Sequence, residues 1–203
     1  MDSALAPSSF ETDGGKYGWE DLRVDGLSIR LPASSAPTWT NLGSSALYGY
    51  AFAPAGGEYA YFMAQLPHAY VKHTANSTDG GTPYWHLHFT NYAGQIPTGS
   101  TVGFRLTYRI GPVTGGFTSD KTVDSTYTAS ATVAQNYSLM TNDVVLTGSY
   151  NYGASTIVIG RIERLPTEPY GGTMTYSGKV ILLSTDFHLK VNRIGSSLKT
   201  GVR

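Results

Sequence analysis

The sequence predicts an all-β fold, a single antiparallel β-sandwich that is jelly-roll-like, with an extended N-terminal arm. Short segments alternate apolar and polar residues with a period of two. Turn sequences rich in Gly and Pro, such as APAGG, STDGGTP and GPVTGG, separate these segments. No segment keeps a helical period over three turns. We place the arm at residues 1–18, which are small and polar, and the sandwich at residues 19–203.

Nine segments are predicted to be β-strands. The segment at 102–110 shows the pattern most clearly, because its aromatic and aliphatic residues fall on one face and Arg105, Thr107 and Arg109 on the other. In chain order the predicted strands are LSIRL (27–31), LYGYAFA (47–53), EYAYFMAQL (58–66), YWHLHFT (84–90), VGFRLTYRI (102–110), YTASATVAQNYSL (127–139), DVVLTG (143–148), STIVIGRIER (155–164) and GKVILLSTDFHLKV (178–191).

The composition excludes several classes of partner and of metal site. The 203 residues have a net charge of zero, and only 14% are charged, so the basic excess of a nucleic-acid-binding protein is missing. Cysteine is absent, which excludes disulfides and thiolate metal sites. No apolar run reaches the roughly 18 residues of a membrane span, and the N-terminus lacks a signal-peptide pattern. We therefore expect a soluble protein without nucleic-acid or membrane partners.

The sequence PYWHLHFT raises the question of a metal site. In a strand, His86 and His88 project to one side, while Trp85 projects to the opposite, core side. Cupins use such a His-x-His strand, but the carboxylate that should follow it is missing from FTNYAGQIPTG. A third nitrogen would have to come through the fold from His68, His73 or His188. We favour structural histidines and no cofactor, and keep His86, His88 and His188 as metal candidates.

Other chemistry finds little support in the sequence. Adjacent carboxylates occur only at Glu20 and Asp21, in a WEDLR motif that we interpret as an anchor. There Trp19 should bury a large surface and Arg23 should pair with a carboxylate. No G-x-S-x-G nucleophile motif is present. We expect a protein that is not an enzyme, although exposed Tyr and Trp rings leave sugar binding open.

Taken in order, WEDLR, PTW, FMAQLPHAY, HLHF, IGRIERLP and DFHLKVNRIGSS resemble a group of tailed-phage virion proteins over residues 19 to about 197. The resemblance implies a β-sandwich that assembles as a homo-oligomer, commonly a trimer in phage capsid cement proteins. This chain departs from the group at Phe89, where Trp is frequent. The shared positions are Trp19, Asp21, Leu22, Arg23, Gln65, Leu66, Pro67, His68, Tyr70, His86, His88, Arg164, Asp186, Phe187, His188, Gly195 and Ser196.

The leading hypothesis is a capsid cement or decoration protein whose partners are the major capsid protein and further copies of itself. It would be made in the cytoplasm of a bacterial host and located on the capsid surface. The alternatives are a tail or fibre protein that binds glycans and a cupin-like metalloprotein. The residues expected to serve structure or interfaces are Trp19, Arg23, His68, Tyr70, Trp85, His86, His88, Asp186 and His188.

Overall fold

The computed structural model describes residues 17–42, 48–70, 82–146 and 153–192. Two antiparallel β-sheets pack face to face around one hydrophobic core, which confirms the predicted all-β sandwich. The strands are β1 (Tyr17–Asp25), β2 (Thr38–Asn41), β3 (Tyr48–Phe52), β4 (Tyr59–Gln65), β5 (Tyr84–Asn91), β6 (Thr101–Gly111), β7 (Lys121–Thr128), β8 (Leu139–Met140), β9 (Val144–Val145), β10 (Ile157–Arg164) and β11 (Val180–Asn192).

Strand β11 organises the larger, seven-stranded sheet. One edge of β11 pairs with β3 near its start and with β1 along the rest, and its other edge pairs with β5. Strand β2 continues the sheet beyond β3, while β8 and β9 both pair with the far edge of β5. The smaller sheet has the order β4-β10-β6-β7. The jelly-roll connectivity expected from the sequence stays a prediction.

Aromatic rings join the two sheets. Phe104 of β6 lies against Phe52 and Phe89 of the larger sheet, with ring centroids 6.1 and 5.8 Å apart. Phe62 of β4 meets Phe187 of β11 at 5.6 Å. A side chain at Gly160 would place its Cβ 2.3 Å from the Phe62 ring, so glycine is required there. The predicted inward face of β6 is confirmed, since its alternating apolar residues are buried.

A buried arginine joins three segments of the sandwich through hydrogen bonds to their backbone. Arg164 donates from Nη1 to the carbonyl oxygens of Phe52 and Gly178, at 3.0 and 2.7 Å, and from Nη2 to that of Tyr176 at 2.6 Å. Burial lowers its pKa to about 10. The guanidinium thus links β10, β3 and the segment that enters β11.

Several sequence-based boundaries were wrong. LSIRL is a turn followed by one bridge, Arg30 to Tyr61, because backbone bonds from Gly26 and Ser28 curl the chain after β1. The segment predicted at 127–139 is a strand only as far as Thr128. After Thr128 its backbone forms hydrogen bonds with residues 96–100, through Ala129 and Val133. Strands β1 and β2 and most of β7 were missed. Strand β1 starts at Tyr17, inside the predicted arm, and residues 1–16 lie outside the described part.

Among the described residues, the single helical element is a 3₁₀ turn at Glu168–Tyr170. None of these residues belongs to a helix that is long and apolar enough to cross a membrane.

Candidate functional site

The strand register of the larger sheet gathers polar side chains on its outer face. Asp186 of β11 lies between Arg23 of β1 and His86 of β5, and His188 lies opposite Asp21. Side chains two residues apart on one strand share a face, so these five project together. With His88 and with Asp143, from the segment between β8 and β9, they form what we call the histidine–carboxylate cluster.

Asp186 is the centre of this cluster. Its side chain is fully buried, and its Oδ2 accepts a hydrogen bond from Arg23 Nε at 2.9 Å and lies 2.8 Å from Arg23 Nη2 in an ion pair. Its Oδ1 is buried with no hydrogen-bond partner. The negative charge of Asp186 raises the pKa of Arg23, first through the hydrogen bond and then through charge attraction. One carboxylate oxygen is therefore satisfied, and the other retains unused lone pairs.

The two histidines of β5 meet through their Nε2 atoms, which lie 3.1 Å apart. His86 Nδ1 lies 2.8 Å from Asp143 Oδ1. Since a carboxylate only accepts hydrogen bonds, this contact places the ring proton of His86 on Nδ1 and leaves a lone pair on Nε2. That nitrogen and His88 Nε2 lie 3.9 and 3.6 Å from Asp186 Oδ2.

His188 completes the cluster on its other side. Its Nε2 lies 2.9 Å from Asp21 Oδ1, and its Nδ1 lies 3.6 Å from Asp143 Oδ2. The rings of His86 and His188 meet edge to face with centroids 4.5 Å apart. Asp143 thus faces two imidazoles.

Burial differs across the cluster. His86 is 1% exposed, whereas His88 and His188 are 26% and 30% exposed, so a buried imidazole lies between two partly exposed ones. Burial lowers the pKa of His88, and the charges of His86 and Arg23 lower it further, while Asp186 and Asp21 oppose the shift. A neutral imidazole is favoured at this position.

Two sets of atoms are placed close enough to share a metal ion. One comprises His86, His88 and Asp186, and the other comprises His86, Asp143 and His188. Imidazole and carboxylate together suit zinc and other first-row divalent metals.

The structure brings most sequence-predicted site residues together. His86, His88, His188, Asp186 and Arg23 belong to one cluster, and Arg23 pairs with a carboxylate as expected. The carboxylate sought just after His88 is supplied instead by Asp186 of the neighbouring strand.

The remaining predicted residues lie apart from the cluster's polar atoms. Trp85 is fully buried and donates to Thr185 Oγ1 at 2.7 Å. Trp19 touches the Tyr84 ring but is 38% exposed, so it buries less surface than expected, because it shares the outer face of β1 with Asp21 and Arg23. His68 contacts Ser155 Oγ at 2.8 Å. Tyr70 is buried, which raises its pKa.

Sequence reasoning missed Asp143 and the role of Asp21. Asp143 opens the predicted DVVLTG strand, and its acidic side chain at a strand start was the signal available. Asp21 was paired with Glu20 as adjacent carboxylates, yet neighbours on a strand face opposite sides. The suggested ligand His73 lies outside the described residues.

Comparison with known proteins adds no family assignment. No protein-family model matches the chain, and the curated proteins include no match to it.

Proposed function

We propose that this protein is a non-enzymatic structural component of a tailed-phage virion. In this proposal it is a homotrimeric cement protein on the capsid surface, made in the bacterial host cytoplasm and bound to the major capsid protein. The resemblance over residues 19 to about 197 supports the virion role. The chemistry of the smaller sheet's outer surface supports a protein that works through contact area.

That surface, which we call the four-stranded face, combines the residue types that interfaces favour. Met63 is 68% exposed and pairs in register with Ile159, while Tyr61 is exposed beside them. Arg161 lies over the Tyr59 ring at 5.1 Å. Tyr, Met and Arg are enriched at protein interfaces relative to other surfaces. This exposed aliphatic and aromatic patch is the observation that carries the proposal.

Charge complementarity favours another copy of the chain as the occupant of this face. Its arginines pair with carboxylates one to one, in Arg105–Asp124, Arg109–Asp120 and Arg161–Glu163. A face that carries both signs in balance can meet a different surface of a second copy without net repulsion, as the head-to-tail contacts of a trimer require. A depression of about 310 Å³, lined by Tyr61, Ile159 and Arg161, would seat an anchoring side chain.

A trimer would bind the capsid more tightly than a single copy. Three linked copies engage three equivalent capsid sites, so each additional contact forms at a high effective concentration. Weak individual contacts of standard size then hold the lattice together.

The test measures assembly and capsid binding together. Light scattering after size exclusion should give a trimer, and the trimer should co-sediment with capsids assembled from the major capsid protein. Met63→Asp should produce a folded monomer that binds capsids weakly. Leu27→Asp is the matched control, since Leu27 is 65% exposed on a turn and should change neither result. A monomeric native protein without capsid affinity would contradict the proposal.

A second candidate function is glycan binding on a tail or fibre. Trp39 of edge strand β2 is half exposed, stacks on Tyr48 at 5.7 Å and meets Tyr50 at 4.7 Å. Such aromatic platforms bind the apolar faces of sugars. Glycan-array signals that disappear with Trp39→Ala and persist with Tyr137→Ala, an exposed ring elsewhere, would favour this role over the capsid role.

A further inference from the structure

We propose that His86, His88 and Asp186 form a binding site for one divalent transition-metal ion, with zinc as the best chemical match. The site goes beyond the virion role proposed above and does not depend on it. It would make the outer face of the larger sheet a metal centre within a non-enzymatic scaffold.

The distances among the three ligand atoms fit a metal ion. His86 Nε2 and His88 Nε2 lie 3.1 Å apart, and they lie 3.9 and 3.6 Å from Asp186 Oδ2. A point equidistant from these three atoms is about 2.1 Å from each, which matches Zn–N and Zn–O bond lengths. Three protein ligands leave a fourth position for water or another group.

The orientation of His86 also suits a ligand. Its Nδ1 donates to Asp143 Oδ1 at 2.8 Å, which holds the ring in place and turns the Nε2 lone pair towards His88 and Asp186. A carboxylate behind a ligating imidazole is a recurrent arrangement in metal sites, where it fixes the tautomer and strengthens the ligand.

Asp186 supplies a second, independent observation. Its Oδ1 is buried without a hydrogen-bond partner, although buried carboxylate oxygens normally accept bonds. The oxygen that lies near both imidazoles is Oδ2, at 3.9 and 3.6 Å, so the carboxylate would ligate through Oδ2. Because Oδ1 has no partner, the charge of Asp186 is compensated only at Oδ2, which favours a cation at that oxygen.

The net negative charge of the cluster favours binding of a dication. Among the seven described residues of the cluster, three carboxylates, Asp21, Asp143 and Asp186, accompany one guanidinium, that of Arg23, so these residues carry a net charge of about −2 when the imidazoles are neutral. A partly buried site with uncompensated negative charge attracts cations. One divalent ion restores neutrality.

In the alternative ligand set, His86, Asp143 and His188, the imidazole nitrogens face a carboxylate, whereas in the chosen set the Nε2 atoms of His86 and His88 face each other 3.1 Å apart. The His86–Asp143 contact of 2.8 Å is an ordinary hydrogen bond, and His188 is held by Asp21 at 2.9 Å. We therefore place the ion on the Nε2 side of His86.

The test uses the full-length protein, stripped with EDTA and titrated with Zn²⁺ in a calorimeter. One equivalent should bind per chain. His88→Ala should weaken binding by at least about a hundredfold, and Asp143→Asn by about ten- to a hundredfold, the range seen when a supporting carboxylate is lost. His68→Ala, an exposed histidine outside the cluster, is the matched control. Cobalt in place of zinc should give a visible absorption spectrum that His88→Ala abolishes.

His88 is partly exposed, so its substitution should leave the fold intact, and circular dichroism of the metal-free variants checks this. His88→Gln serves as a second variant if the alanine variant does not fold. Absence of stoichiometric zinc binding by the native protein would overturn the proposal. So would a His188→Ala variant that loses zinc while His88→Ala retains it, since the ion would then lie on the other side of His86.

Discussion

The outer faces of the two sheets carry charge in opposite ways. On the four-stranded face, Arg105 pairs with Asp124 at 2.7 Å, and both side chains are more than 40% exposed. On the outer face of the larger sheet, Arg23 pairs with Asp186 at 2.8 Å, but Asp186 is completely buried. Two further carboxylates, those of Asp21 and Asp143, belong to the same cluster. Water solvates both side chains of the first pair, whereas in the second pair the buried Asp186 carboxylate is compensated only by neighbouring groups.

This difference suits the two faces to the two proposed roles, contact with a protein partner and binding of a cation. Exposed ion pairs contribute little to stability, and their balanced charges suit a protein partner. A buried carboxylate costs several kcal/mol to desolvate unless charges and hydrogen bonds compensate it. The cluster of the larger sheet retains an unpaired oxygen and excess negative charge, and therefore has capacity for a cation.

The largest expected effect is stabilisation by zinc. At a free Zn²⁺ concentration one hundred times the dissociation constant, binding to the folded state alone should raise the free energy of unfolding by about 2.7 kcal/mol. Urea denaturation with and without zinc measures this difference. The gain should disappear in His88→Ala and remain in His68→Ala. An equal gain in His88→Ala would show that zinc does not bind at the histidine–carboxylate cluster. The outer face of the larger sheet would then not differ from the four-stranded face in cation binding.

A smaller effect should follow from removing one arginine on each face. Arg23→Ala leaves the buried Asp186 charge without its partner, and we expect a loss of about 2 kcal/mol, below the range for fully buried pairs because Arg23 is half exposed. Arg105→Ala should cost only about 0.5 kcal/mol. Chemical denaturation of both variants provides the comparison.

Salt provides a control for this pair of variants. Raising NaCl to about 1 M shortens the Debye length to about 3 Å, so the effect of Arg105→Ala should vanish. The effect of Arg23→Ala should persist, because the Asp186 carboxylate is shielded from solvent. Equal salt sensitivity would show that both pairs behave as surface pairs.

The smallest effect concerns pH. The hydrogen bond and charge of Arg109 lower the pKa of Asp120 below 3.8. A carboxylate whose pKa is depressed on folding adds stability above its unfolded pKa and loses it as pH falls through the folded value. Carbon-detected NMR should therefore place the Asp120 midpoint below 3.8, and Arg109→Gln should return it towards the ordinary value. An unchanged midpoint in Arg109→Gln would remove the ion pair as the cause.

The sequence was informative where local pattern controls structure. The alternation in β5 placed Trp85 in the core and His86 and His88 on one face, because side-chain direction in a strand follows directly from sequence spacing. The segment LSIRL alternates as well, yet backbone hydrogen bonds at Gly26 and Ser28 turn the chain there. A local alternation of residues does not show where backbone hydrogen bonds will favour a turn over a strand.

The composition of the cluster could not be predicted in the same way. Asp186 meets Arg23 only because β1 pairs with β11 across more than 150 residues of sequence, and Asp143 approaches His86 from a third segment. Register between distant strands is set by the packing of the whole sheet. The sequence therefore placed two of the seven cluster members, His86 and His88, on one face, but it did not show which groups from other strands would meet them.

The position of β11 between β1, β3 and β5 has a consequence for biosynthesis. A ribosome that adds 5–20 residues per second needs about 8 to 30 s to pass from the end of β1 to the start of β11. In the later part of that interval β1 and β5 have both been synthesised, while the strand that pairs with both of them has not. The larger sheet can close only after β11 has been synthesised, so until then nascent chains carry unpaired strand edges.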